Sequence, residues 1–249
     1  MKSELAGAAD SPIELSFVVP CLNEELNVTG TLETLTAAMG ELPYTYEILV
    51  IDDGSTDRTA ELVEAYIAAH PDLPIRLHRN PRNRGLTRTY VDGAFLSRGK
   101  HYRQVCGDNV EPKETLIAVL RHLGEADMII PYHIAVPGKS AFRKWLSGFY
   151  TKIVNALSGY NIHYYNGLAT HLRYNVMRWG SYSFGFGYQA ELITRLLDED
   201  ATYIEVPVTA YHQQKTGKNS ALNLRNFLSV THTLLDMAFR RVRKRAFRR

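Results

Sequence analysis

The chain has 249 residues, 45% of them hydrophobic and 22% charged. This suits one globular domain of α/β type and excludes disordered, collagen-like and coiled-coil architectures. Cys21 and Cys106 are the only cysteines, so no disulfide framework is implied and a reducing compartment is expected; they are also too few and too far apart for a zinc cluster. The net charge of +3 is unevenly placed: residues 240–249 hold seven Lys or Arg and no acid, while the remainder carries 22 basic and 26 acidic residues. No run of about 18 apolar residues predicts a transmembrane helix, and Met1 to Pro12 lacks the apolar stretch of a secretory signal.

In chain order, Leu15 to Val19 reads as a buried strand ending at Pro20. Asn23 is a candidate cap for a helix running to Met39, with Glu24 and Glu25 favouring its start. Tyr46 to Ile51 is a second strand, stopped by the turn cluster Asp52-Asp53-Gly54-Ser55. A helix follows from Ser55 or Asp57 to about His70, then a strand over Ile75 to His78 and a helix over Leu86 to Arg98. A fourth strand, His101 to Val105, closes at Gly107. Pro112 to Gly124 reads as helix and Asp127 to Pro131 as the fifth strand. Such alternation with short loops predicts a mostly parallel sheet with helices on both faces, and ligands at the carboxyl ends of its strands.

The second half departs from this rhythm. Ala141 to Gly159 forms an amphipathic helix whose Trp145, Phe149 and Tyr150 read as core, with a lipid groove as the alternative. Residues 160–174 are aromatic and irregular. A helix from about Gln189 to Asp198, a strand over Tyr203 to Val208, a polar basic loop over Gln213 to Ser220 and a long helix over Leu222 to Arg245 complete the chain. The expected organisation is a flexible segment 1–12, one domain over 13–239, and a basic tail over 240–249. His163 and His171 lack metal-ligand spacing and read as packed or surface side chains.

Two consecutive strands end in polar loops: Pro20-Cys21-Leu22-Asn23-Glu24 and Asp52-Asp53-Gly54-Ser55-Thr56-Asp57. Either loop alone could be helix caps. Together they resemble the family 2 glycosyltransferases of GT-A fold. Asn83-Arg84-Gly85-Leu86, Gly185 to Glu191 and Glu205-Val206-Pro207-Val208 are similar to further segments of that family, and the pattern is nearest to the polyprenyl-phosphate sugar transferases. The resemblance covers roughly residues 14 to 235.

The resemblance implies an inverting hexosyltransferase with a nucleotide-sugar donor. Pro20, Leu22, Asn23 and Glu24 would flank base and ribose, Asp52 and Asp53 would meet the base edge, and Asn83 and Gly85 would line the cleft. The family's Asp-x-Asp is here Cys106-Gly107-Asp108, so only the second Asp remains. Asp108 is thereby the candidate ligand of a Mg²⁺ or Mn²⁺ ion that the donor diphosphate would complete, with Asn109 or Glu111 as helpers; the alternative is a weakened or absent metal site. Arg143, Lys215 and Lys218 are the candidate phosphate and acceptor cations. A hydroxyl acceptor would need a general base, for which Glu191 is the candidate, whereas a phosphate acceptor needs only cations.

The basic end predicts peripheral contact with an anionic membrane on its cytoplasmic side rather than specific nucleic-acid binding. A nucleotidyltransferase would want a glycine-rich basic loop after the first strand, which Pro20 to Glu25 lacks. A non-catalytic nucleotide-sugar binder remains the other alternative.

Overall fold

The computed structural model describes residues 12–135, 141–179, 187–209 and 224–247, the side chains of 135, 143, 224–227 and 245 excepted. The strands are β1 (Leu15–Cys21), β2 (Tyr46–Asp52), β3 (Ile75–Arg79), β4 (His101–Gln104), β5 (Met128–Ala135), β6 (Thr170–Leu172) and β7 (Tyr203–Thr209). The helices are α1 (Val28–Met39), α2 (Thr59–Ala69), α3 (Leu86–Leu96), α4 (Lys113–Leu120), α5 (Ala141–Ser158), α6 (Arg173–Arg178), α7 (Tyr188–Asp198) and α8 (Leu224–Phe247). All seven strands form one sheet in the order β3-β2-β1-β4-β6-β5-β7.

β1 is central and buried on both faces, as its apolar run LSFVVPC requires. It pairs in parallel with β2 (Cys21 beside Asp52) and with β4 (Val18 beside Gln104). Its alternation divides the core. Leu15, Phe17, Val19 and Cys21 pack with Val28, Leu32 and Leu35 of α1, Val63 of α2 and Leu116 of α4. Val18 faces the other way, with Tyr90 and Ala94 of α3, Val176 of α6, Ile193 of α7 and Met237 of α8. Each fully buried Leu, Ile or Phe contributes roughly 1.5–3 kcal/mol of transfer free energy. α3 comes close to the sheet because Gly93 faces it; a Cβ there would lie 2.6 Å from Val18 Cγ2.

Three features differ from the sequence expectations. Residues 160–174 contain β6, an antiparallel strand of three residues between β4 and β5, and lead into α6. A segment this short carries no readable period. α1 begins at Val28, not beside Asn23, and Asn23 takes a left-handed backbone (φ 57°) instead of the extended one typical of a helix cap. Trp145 and Phe149 are exposed, not core. α8 runs without a break past residue 240, where Arg240 bonds Asp198 and Asp236, and Lys244 bonds Asp198. Among the described residues no helix is long and apolar enough to cross a membrane.

Candidate active site

The chain runs β1 to β3 outward on one side of β1 and resumes with β4 on the other, so the order reverses between β1 and β4. A crevice opens at the carboxyl ends of strands flanking such a reversal. The loops after β1, β2 and β4 meet there.

The first two loops are laced together. The Cys21 carbonyl accepts from the Asp53 N–H at 2.8 Å, and the Asn23 N–H donates to the Ser55 hydroxyl at 2.9 Å. Asn23 Oδ1 accepts from the Thr56 N–H at 2.8 Å; the Glu24 N–H donates to the Thr59 hydroxyl at 2.8 Å. Asn23 thus braces the β2 loop instead of capping α1. Asp57 caps across as well, its carboxylate accepting from the N–H groups of Thr59 and Glu25. Glu24 also accepts from Asn27 Nδ2.

Asp52 and Asp53 are both buried. Asp52 accepts from the Ser55 N–H at 3.0 Å and lies 3.8 Å from the Arg79 guanidinium. Asp53 accepts from Asn80 Nδ2 (2.8 Å), the Arg84 N–H (2.9 Å) and the Gly85 N–H (2.9 Å). Its carboxylate therefore organises the turn into α3, where Gly85 has φ 88°. Gly54, at φ 80°, lets this turn lie close, since a Cβ would meet the Asn83 nitrogen at 2.8 Å. Asn83 and Leu22 remain exposed at the crevice rim.

The β4 loop is pressed onto β1 and α1. The Gly107 N–H donates to the Pro20 carbonyl at 3.4 Å, and the Thr31 hydroxyl donates to the Gly107 carbonyl at 3.0 Å. A Cβ on residue 107 would lie 2.5 Å from Cys21 Sγ, so glycine is required by contact. Burial pushes the Cys21 thiol well above its ordinary range, and the charges of Glu24, Asp52, Cys106 and Asp108 push it further. That thiol is protonated and inert.

The suggested helpers of Asp108 are engaged elsewhere. Asn109 Oδ1 accepts from the Thr34 hydroxyl at 3.1 Å. Glu111 pairs with Arg103, a side chain of β4 with no solvent exposure that also donates to the Leu168 carbonyl. Burial raises the Glu111 carboxyl despite the opposing Arg103 charge. Asp108 is thus the loop's remaining candidate carboxylate among the described residues, and no group of three metal-ligating side chains occurs among them. That set fits Mg²⁺ or Mn²⁺, which accept one protein carboxylate when substrate phosphates and water supply the rest.

α7 lies behind this loop. The Tyr188 hydroxyl donates to Gln104 Oε1 at 2.8 Å, while Gln104 Nε2 points at Cys106 Sγ, 3.6 Å away. Gln189 meets His171 Nε2 at 3.2 Å. Burial lowers His171 to about 4 and raises Tyr188. Arg103, Gln104, His171 and Gln189 form a buried polar seam that sequence reading missed. The readable signal was Arg103-Gln104 inside a central strand buried along its whole length, where apolar residues are the rule.

Glu191 is no surface carboxylate: it is 3% exposed, and its Oε1 accepts from Arg195 Nε at 3.1 Å. Arg143 lies on α5 with its side chain outside the described residues, and Lys215 and Lys218 lie outside them altogether.

In sequence and fold the chain is similar to known proteins. The dolichyl-phosphate beta-glucosyltransferase of Dictyostelium discoideum is 39% identical over 101 residues, 39% of this chain and 31% of that protein. The dodecaprenyl-phosphate galacturonate synthase of Rhizobium johnstonii is 30% identical over 156 residues, 61% of this chain and 46% of that protein. The chain spans less than half the length of either curated relative. Glucosyl-3-phosphoglycerate synthase from Mycobacterium tuberculosis, in complex with Mn²⁺, UDP and glucosyl-3-phosphoglycerate, superposes with a TM-score of 0.66 at 17% identity, over 91% of this chain and 80% of that one. A mannosyltransferase from Pyrobaculum calidifontis, in complex with GDP-Man and Mn²⁺, gives 0.65 at 18% identity over 92% and 66%. These likenesses identify the fold as GT-A. The pattern described as Glycosyl transferase family 2 matches residues 16–184, well over half of the sequence, and the chain belongs to that family.

Proposed function

We propose that the chain transfers a sugar, with inversion, from a nucleotide-sugar donor to a polyprenyl-phosphate acceptor. One observation carries this reading: the loops after β1, β2 and β4 converge at the reversal of strand order, bonded to one another through Asn23, Asp53 and Gly107. Base and ribose sit against Pro20 to Glu24 and Asp52-Asp53, with Asn83 and Gly85 along the cleft, and the diphosphate points to Asp108. The names of the curated relatives support the lipid-phosphate acceptor.

Asp108 would hold a Mg²⁺ or Mn²⁺ ion together with the donor diphosphate. When bound, the ion offsets the charge that develops on the departing diphosphate. The protein's own residues bind and orient. Asp53 fixes the turn that carries Asn83 and Gly85, Thr31 and Thr34 fix the Asp108 loop, and Arg143, Lys215 and Lys218 steer the acceptor phosphate. That acceptor is already anionic and needs no proton removed. The engagement of Glu191 with Arg195 supports this choice, because the carboxylate serves an ion pair on α7; it would act as a base only toward a hydroxyl acceptor.

In this reading the chain works at the cytoplasmic face of an anionic membrane, drawn by the basic end of α8. The deciding assay offers nucleotide sugars with polyprenyl phosphate, unphosphorylated polyprenol or a soluble glycan, with and without Mn²⁺. Product only with the lipid phosphate is expected. Transfer to the glycan or the free polyprenol would overturn the acceptor, and turnover undiminished by chelator would overturn the metal.

A further inference from the structure

α5 and α8 pack against each other, and each turns an apolar stripe to solvent. On α5, Phe142, Trp145, Leu146 and Phe149 are 61%, 61%, 38% and 49% exposed. Their spacing of three and four residues puts them on one side of the helix, opposite the buried Thr151 and Val154. The rings stack in a row, Phe142 to Trp145 at 6.1 Å and Trp145 to Phe149 at 5.3 Å with planes 6° apart. On α8, Leu228, Leu235, Phe239 and Val242 are exposed on the side opposite the buried Thr233 and Met237. A surface helix of a globular protein ordinarily carries polar residues on that outward side. An exposed apolar patch of this extent marks an interaction surface.

We propose that the α5–α8 face inserts into the headgroup region of an anionic lipid bilayer. Charge selects this occupant. The sequences of α5 and α8 together contain nine Lys or Arg and a single acid, Asp236, and Asp236 is already paired with Arg195 and Arg240. Lys144, Lys152 and Arg243 are exposed beside the stripes. A second copy of the chain docked symmetrically would set like charges against each other, whereas anionic headgroups complement them. Aromatic side chains with flanking cations suit the boundary between headgroups and acyl chains. Arg240 and Lys244 are held by Asp198, so charge attraction is weaker than the run of cations suggests, and the apolar stripes supply the remainder. The inference rests on the lipid-acceptor reading only for its purpose, which is to bring the crevice to its substrate.

Vesicles of phosphatidylcholine and phosphatidylglycerol without polyprenyl phosphate test it independently of catalysis. The full chain carrying Trp179→Phe keeps Trp145 as its one indole. On adding vesicles, Trp145 emission should shift to the blue and be quenched by brominated acyl chains, and part of the binding should survive high salt. Trp145→Ser with Phe149→Ser should lower the partition coefficient on the order of ten- to a hundredfold, with circular dichroism and nucleoside-diphosphate binding unchanged. Unshifted, unquenched Trp145 fluorescence would overturn the proposal, as would equal partitioning of the double variant. Lipid-independent dimers that the double variant abolishes would assign the face to a second copy instead. Lipid insertion without any transferase activity would leave this proposal standing and remove the lipid-acceptor reading.

Discussion

The Asp53 carboxylate accepts the Gly85 N–H at 2.9 Å, tying the end of β2 to the start of α3 across the mouth of the crevice. The same carboxylate accepts from Arg84 and Asn80, so the shape of the turn depends on one side chain. Asp53→Ala leaves the buried Asn80 amide and the part-buried N–H groups of Arg84 and Gly85 without their acceptor, a loss of about 2–3 kcal/mol where the acceptor is charged. Urea denaturation should report that loss, and calorimetry should report weakened nucleoside-diphosphate binding. Unchanged values in both would refute the bracing role.

Asp108→Asn should lower donor turnover on the order of a hundredfold, the scale of removing one group that stabilises developing charge. Its Mn²⁺ requirement should move to higher concentration, because the carboxylate proposed to hold the ion with the diphosphate is gone. A Mn²⁺ titration of donor turnover in both proteins decides the point; superimposable curves would remove Asp108 from the metal site.

Arg103 and Glu111 form an ion pair in which Arg103 is fully buried. Arg103→Met strands Glu111 without its cation and should destabilise by roughly 3–5 kcal/mol, whereas Arg103→Met with Glu111→Gln should recover most of that loss. Thermal unfolding of the single and double variants makes the comparison. Additive losses would mean that the two side chains stabilise independently.

His171 is buried and neutral, its pKa lowered to about 4 by burial, with the Arg103 charge adding. The unfolded chain takes up a proton on this ring near pH 6.5, while the folded chain resists until about pH 4. Stability should therefore fall as pH drops from about 6.5 towards 4, by at most roughly 3 kcal/mol from this residue. His171→Gln should flatten that part of the profile of unfolding free energy against pH. A profile unchanged in the variant would place the acid sensitivity elsewhere.

The sequence by itself determined the order of strands and helices in the first half, because apolar β-branched runs alternate with amphipathic segments and each change is marked by Asp, Asn or Gly. It also located the crevice, since Pro20 to Glu24, Asp52-Asp53 and Cys106 to Asp108 each follow a strand. Tertiary structure decided what the residues in those loops do. Asn23 and Asp57 look alike as cap residues, but only the pairing of β1 with β2 brings Asn23 to Thr56 and Glu25 to Asp57. β6 has three residues and exists because β4 and β5 offer it partners on both sides. The α5 stripe of Phe142, Trp145 and Phe149 has the spacing of a core face. Periodicity reports that side chains share a side; it does not report which side the rest of the chain covers, and here the body packs against the opposite one, leaving the rings in solvent.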